Sequence, residues 1–446
     1  MTASFVQVLI CLLAAIGVII LLTAKYRVHP FFALLLACFL VGLGVQIPFA
    51  GILNSVKEGF GNIMQKLGLI IVLGTTLGVL LEHSGCTKVM ANAILKRTGE
   101  KRSALAMSLT GFIVGLPVFC DSGYIVLSGL NQSLAKRTGI SLVIMSVSLA
   151  TGLYAVHCLL PPHPGAAAAA VTVGVDFGKL IMIGIAVAIP GMIVGHLWAR
   201  YAGKGVEHVA AHKEDIIDDK HLPSVFASFL PVIVPIILIA VNSFLVLEKI
   251  SSNSLQKIFA ILGEPVIALF IGVLLAFATM LKRGSDRLTK QIFSKLLMEG
   301  AEKAGGILVI IGAGGAFGAV LAATKIGDHF SGSLNLAGMG IFFPFLVTFI
   351  LKTAQGSSTV AIITAASIVQ PLLASLGLDS ENGRLLAVLS MGAGSMMISH
   401  ANDAYFWVIS KFSGLEMQPM LKVYSVATIW MGLTTLIVVY ILSLII

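Results

Sequence analysis

Four short polar clusters interrupt an otherwise apolar chain, and they hold most of the groups able to do chemistry. They are Phe119-Cys120-Asp121-Ser122-Gly123, Pro161-Pro162-His163-Pro164-Gly165, Ala354-Gln355-Gly356-Ser357-Ser358-Thr359 and Ser399-His400-Ala401-Asn402-Asp403. Hydroxyls at Ser122, Ser357, Ser358 and Thr359 can donate to a carboxylate or bond a sugar hydroxyl, although serines also cap broken helices. Gln355 and Asn402 offer both a donor and an acceptor, which suits a polyol. His163 and His400, with His157 two turns before His163, can relay a proton or bind a hydroxyl, and a structural hydrogen bond fits each equally well. Asp121 and Asp403 carry the strongest signal. A carboxylate at membrane depth must protonate, pair or bind a cation, so at least one of the two is read as a proton- or cation-coupling site, the alternative being a helix cap satisfied by backbone amides. Lys352 is the one lysine or arginine in the two longer apolar stretches, 103–135 and 339–376, that hold the first and third clusters. It either supports an anionic substrate electrostatically or snorkels to the surface.

Other chemistries find little support. Ser399 and His400 are adjacent in sequence without a nucleophile–base constellation, and there is no HExxH, so neither an enzyme nor a resident metal or cofactor is expected. The five cysteines form no CxxC pair, and most lie inside apolar runs, where a thiol behaves as a small hydrophobe. Gly312-Ala313-Gly314-Gly315-Ala316-Phe317-Gly318 lacks GxGxxG spacing and a preceding strand, and reads as close helix packing.

The elements that must position these groups follow from composition. The 446 residues are 57% hydrophobic and 11% charged, against roughly 25% charged in a soluble domain. A soluble chain would need far more polar surface. The net charge of +9 then points to basic cytoplasmic loops rather than to nucleic acid. The fold class expected is an all-α polytopic membrane protein.

Ten segments are apolar and long enough to cross a bilayer: 4–23, 29–48, 67–84, 141–175, 177–200, 225–247, 264–281, 304–323, 384–411 and 421–446. Residues 103–135 and 339–376 are longer and have polar centres, so they read as re-entrant hairpins; 141–175 and 384–411 read as broken crossing helices. Stretches 51–66 and 285–303 look amphipathic and interfacial, and Glu82 and His83 end a span. With both termini periplasmic, 21 of the 29 lysines and arginines fall in cytoplasmic loops, as the positive-inside rule requires.

The chain also repeats itself. Gly111–Pro117 aligns with Thr348–Ala354, and Gly78–Leu81 aligns with Gly318–Leu321. Residues 1–203 and 224–446, joined by a polar linker at 204–223, each hold five crossings and one hairpin. Five is odd, so the halves are expected to be inverted repeats, with substrate near the midplane at discontinuous helices. Half-helix N-termini at the hairpin tips, including the backbone at Gly123 and Gly356, suit an anion.

At these residues the chain resembles the gluconate permease (GntP) family of gluconate:proton symporters, within the ion transporter superfamily. The likeness rests on Gly115-Leu116-Pro117-Val118-Phe119 with Asp121, Leu160–Gly165, Ala354–Thr359 and Ser399–Trp407, in that order along the chain. It implies a homodimer with a static scaffold and an elevator-like transport domain, taking up gluconate or a related sugar acid with protons across a bacterial inner membrane. Sodium coupling stays open, as does a D-serine or similar small amino or hydroxy acid substrate, since the family also holds a D-serine permease. An anion channel is the weaker alternative. Cys120 stands where family members carry a bulky residue, Ser122 where they carry an apolar one, and Lys352 where arginine is frequent. A smaller, more polar tip implies a different or modified hydroxy acid.

Overall fold

A bilayer offers backbone amides no solvent partner, and a helix satisfies them within its own segment. The computed structural model describes residues 5–99, 102–204, 222–247, 254–281, 290–325, 338–400 and 403–446, and among them it is helical with no strand. The helices are α1 (Phe5–Ile20, running on through a π-helical turn at Leu21–Lys25), α2 (Pro30–Gly44), α3 (Phe49–His83), α4 (Cys86–Thr98), α5 (Ser103–Gly115) and α6 (Cys120–Thr138). Then come α7 (Leu142–Leu159), α8 (Pro164–Val173), α9 (Phe177–Ala202), α10 (Val225–Leu247), α11 (Ser254–Leu262) and α12 (Pro265–Leu281). The chain ends with α13 (Lys290–Ala323), α14 (Phe342–Gln355), α15 (Ser358–Val369), α16 (Glu381–Met396), α17 (Ala404–Ser413) and α18 (Val426–Ser443). Among the described residues, seven helical stretches are long and apolar enough to cross a membrane, α7 and α8 counting as one.

Two stretches expected to lie at the interface do not stand apart. Residues 51–66 continue unbroken into α3, and 290–303 continue into α13. Neither contains proline, and isolated glycines do not stop a helix that neighbours pack against. The resulting helices reach about 50 Å at 1.5 Å per residue, longer than the hydrocarbon core is thick. Residues 285–289 and most of the 204–223 linker lie outside the described residues.

The polar clusters fall where helices break: between α5 and α6, α7 and α8, α14 and α15, and α16 and α17. The apolar window of Leu142–Val173 is wholly buried inside the protein, whereas α1 turns most of its surface outward. Irregular backbone at membrane depth is tolerated where protein surrounds it, and the α7–α8 break has that setting.

Contacts made by one half of the chain recur in the other. α5 packs on α7 as α14 packs on α16, α8 lies on α15 as α17 lies on α6, and α2 meets α13 as α12 meets α3. Close approach of α5 and α7 requires glycine on both sides. A Cβ at Gly152 would strike the Ser108 carbonyl, and one at Gly111 would meet the Leu149 carbonyl at 2.5 Å. The same device joins α3 to α13, where a Cβ at Gly315 would lie 2.6 Å from the Gly59 carbonyl. The glycine-rich run at 312–318 therefore packs helices.

Candidate functional site

The four breaks meet around one cavity of about 530 Å3, within the range of small-molecule sites. Its wall takes Phe119–Ser122 from the start of α6, Pro164 from the start of α8, Ser357–Val360 from the start of α15 and Asp403–Tyr405 from the start of α17. Four half-helix N-termini thus face one space. Each presents the positive end of its dipole, and all four keep first-turn N–H groups, since Pro164 removes only one from α8, an arrangement that favours an anion.

The α14–α15 tip is held by Lys352. Gly356 turns the chain there with φ at +86°, a left-handed conformation that glycine adopts freely. Lys352 Nζ donates to the Gly356 carbonyl at 2.5 Å and to Asp403 Oδ2 at 2.7 Å. It is fully buried, so it does not snorkel. Asp403 also accepts from Ser399 Oγ and, at Oδ1, from the Tyr405 N–H at 3.0 Å, capping α17. Backbone freed by this break finds partners in the polypeptide that follows: the Ser399 N–H donates to Thr428 Oγ1 at 3.0 Å, and Ser425 Oγ donates to the Ser399 carbonyl at 2.5 Å.

The two expected histidines have matching structural roles. His163 Nε2 lies 2.6 Å from the Gly115 carbonyl, where α5 ends, and His400 Nε2 lies 3.1 Å from the Thr353 carbonyl, near the end of α14. Each ties a broken helix to the hairpin of its own half, and neither lines the cavity. His157 does line it, with Nε2 3.5 Å from Thr359 Oγ1 and its ring 4.8 Å from that of His163. Beside it Tyr154 and Tyr405 stack at 5.7 Å; their hydroxyls donate to the Ser395 and Ala150 carbonyls at 3.1 and 3.2 Å.

Asp121 stands in the first turn of α6 and lines the cavity. Among the described residues no cation pairs with its carboxylate, and the Cys120 thiol at 4.0 Å is its one side-chain contact of hydrogen-bond type. Across the cavity α13 contributes Lys303, Ile307 and Ile310. Lys303 pairs with Glu299 at 2.8 Å and lies 3.7 Å from Glu82, while His83 lies 3.7 Å from Glu299. Glu82 and His83, expected at a span end, belong to this network.

Of the residues expected at the site, Asp121, Ser122, Gln355, Ser357, Ser358, Thr359 and Asp403 line the cavity. Gly123 and Gly356 do not, and Asn402 lies outside the described residues. Among the described residues, the Gln355 amide has no hydrogen-bond partner on either polar atom. Sequence reasoning missed Phe119, Cys120, Tyr154, Lys303 and Tyr405 as wall residues. Phe119 and Cys120 sit inside a cluster already marked as polar and broken, and position in that cluster was the usable signal. Nothing local marks Lys303, because the packing of α13 decides what it faces. Among the described residues, no group of three or more His, Cys, Asp or Glu is placed to hold a metal ion.

A helical membrane protein whose broken helices converge on one polar cavity is a permease in architecture. A model of the family described as GntP family permease matches residues 7–445, and the chain belongs to that family of transporters. It is 34% identical to a gluconate permease of Pseudomonas aeruginosa, with 97% of each chain covered. It is 31% identical to the D-serine transporter DsdX of Escherichia coli K12 over 99% of this chain and all of that one. Among solved structures it is similar to the Alcanivorax borkumensis YdaH transporter, with a TM-score of 0.66, 16% identity and 89% of each chain covered.

Proposed function

We propose that the protein takes up a small hydroxylated monocarboxylate, gluconate or a related sugar acid, together with protons across a bacterial inner membrane. The observation that carries this reading is the contrast between two carboxylates on one cavity. Asp403 is neutralised by Lys352 and capped by a backbone N–H, whereas Asp121 has no cation beside it among the described residues. A carboxylate at membrane depth without a cation is the group suited to take up and release the coupling proton. The substrate carboxylate would lie toward the helix N-termini of α6, α15 and α17, with its hydroxyls toward Ser122, Ser358, Thr359 and Gln355.

Residues 1–203 and 224–446 then form inverted repeats. In this reading the hairpins and broken helices of a homodimeric carrier move past a frame containing α3 and α13, elevator-fashion. The recurring packing of the two halves supports the repeat, and the excess of lysine and arginine in one set of loops supports cytoplasmic loops with periplasmic termini. Reconstituted protein with an imposed inward proton gradient should accumulate labelled gluconate, and a sodium gradient should not. Failure to accumulate any sugar acid under either gradient would overturn the reading.

One observation favours a second substrate. An unpaired Asp121 also suits an ammonium group, and one relative is named a D-serine transporter. Counterflow driven by D-serine and not by gluconate would select the amino acid.

A further inference from the structure

A second cavity, of about 790 Å3, lies where α5 and α7 begin and α9 ends. Arg102, Arg200, Lys204 and the buried His196 line it, and no carboxylate does among the described residues. The three cations are exposed and have no ion-pair partner among the described residues. Three cations on one cavity with no carboxylate among the described residues attract an anion. Arg102 is the N-cap residue of α5, and a cation at a helix N-terminus meets the positive end of the dipole. Ser141, the N-cap residue of α7, brings a second N-terminus to the same space. His196 Nδ1 is occupied by Ser148 Oγ at 2.9 Å, which leaves Nε2 for the cavity.

We propose that this cavity holds the phosphate headgroup of an anionic phospholipid. Two observations favour a lipid over a free phosphate. The cavity sits at the ends of membrane-crossing segments, at the level where headgroups lie and juxtamembrane basic residues attract anionic lipid. Its wall also includes Leu105, Ile140 and Ile144, an apolar side along which the glycerol and first methylenes can lie. The site is separate from the cavity at Asp121 and does not depend on which substrate is carried. Through Arg102 and Ser141 the bound lipid would clamp the open end of the α5–α6 hairpin against α9.

Native mass spectrometry of the full chain released from nanodiscs containing phosphatidylglycerol and phosphatidylcholine tests the assignment. Phosphatidylglycerol should stay bound, and each of Arg102→Gln, Arg200→Gln and Lys204→Gln should lower its retention about fivefold. Arg102→Lys should restore most of it. Lys136→Gln removes an exposed cation at the end of α6 that does not line the cavity, and should leave retention unchanged. Equal loss from Lys136→Gln would reduce the effect to general surface charge and overturn the site. Thermal stabilisation in neutral detergent by glycerol 3-phosphate as large as that by phosphatidylglycerol would assign the cavity to a free phosphate instead.

Discussion

Lys352 on α14 and Asp403 at the start of α17 form an ion pair at 2.7 Å, with the lysine fully buried. Because Lys352 also bonds the Gly356 carbonyl, the pair fixes the second hairpin tip to the second broken helix. Removing one partner of a buried pair leaves the other charge uncompensated, at roughly 3–5 kcal/mol. Lys352→Met and Asp403→Asn should each lower the melting temperature sharply in detergent. The double variant should recover part of the loss, and additive losses would mean that the pair is not energetically coupled.

Asp121 is set apart from that pair. Asp121→Asn should abolish uptake driven by a proton gradient while leaving substrate exchange intact. Gradient-driven accumulation at the parental rate would remove Asp121 as the proton carrier.

Lys303 is the cation facing the cavity from α13. An anionic substrate entering the cavity would be drawn toward it in competition with Glu299 and Glu82. With the gain discounted for its partial exposure, Lys303→Gln should raise KM for a sugar acid about fivefold with kcat little changed. If the carried species is zwitterionic, KM should move much less.

Two neighbouring serines separate capping from binding. Ser357 caps α15 by accepting from the Val360 N–H at 3.3 Å, so Ser357→Ala should cost about 1 kcal/mol of stability and weaken uptake. Ser358 lines the cavity without capping the helix. Ser358→Ala should raise KM at an unchanged melting temperature, and equal thermal losses from the two would contradict this division.

The contact of α5 with α7 has its own test. Gly152→Ala would push a methyl group into the Ser108 carbonyl, an overpacking worth roughly 1–3 kcal/mol. Gly129 has open space where its Cβ would stand. Gly129→Ala should therefore leave melting unchanged or slightly raised, and matching losses at both positions would refute the packing argument.

Much of this protein was legible from its residues alone. Low charge and long apolar runs dictate membrane helices, since a bilayer admits few other ways to satisfy backbone amides. The clusters at 119–123, 161–165, 354–359 and 399–403 mark the breaks because glycine, proline and short polar side chains gathered in one short stretch stop a helix, whereas isolated ones, such as Pro190 within α9, do not. Aspartates among apolar neighbours announce themselves in the same way. What each group touches was not legible. That Asp403 has Lys352 while Asp121 has no cation among the described residues depends on residues 51 positions apart meeting across a fold. The exclusion of His163 and His400 from the cavity depends on which carbonyl each reaches, and the place of Lys303 in its wall depends on how α13 lies against the tips. Helix formation and helix breaking are local, within reach of a few neighbours. Pairing and exposure are set by packing between distant helices, so the tertiary structure alone decided which polar groups support the cavity and which face it.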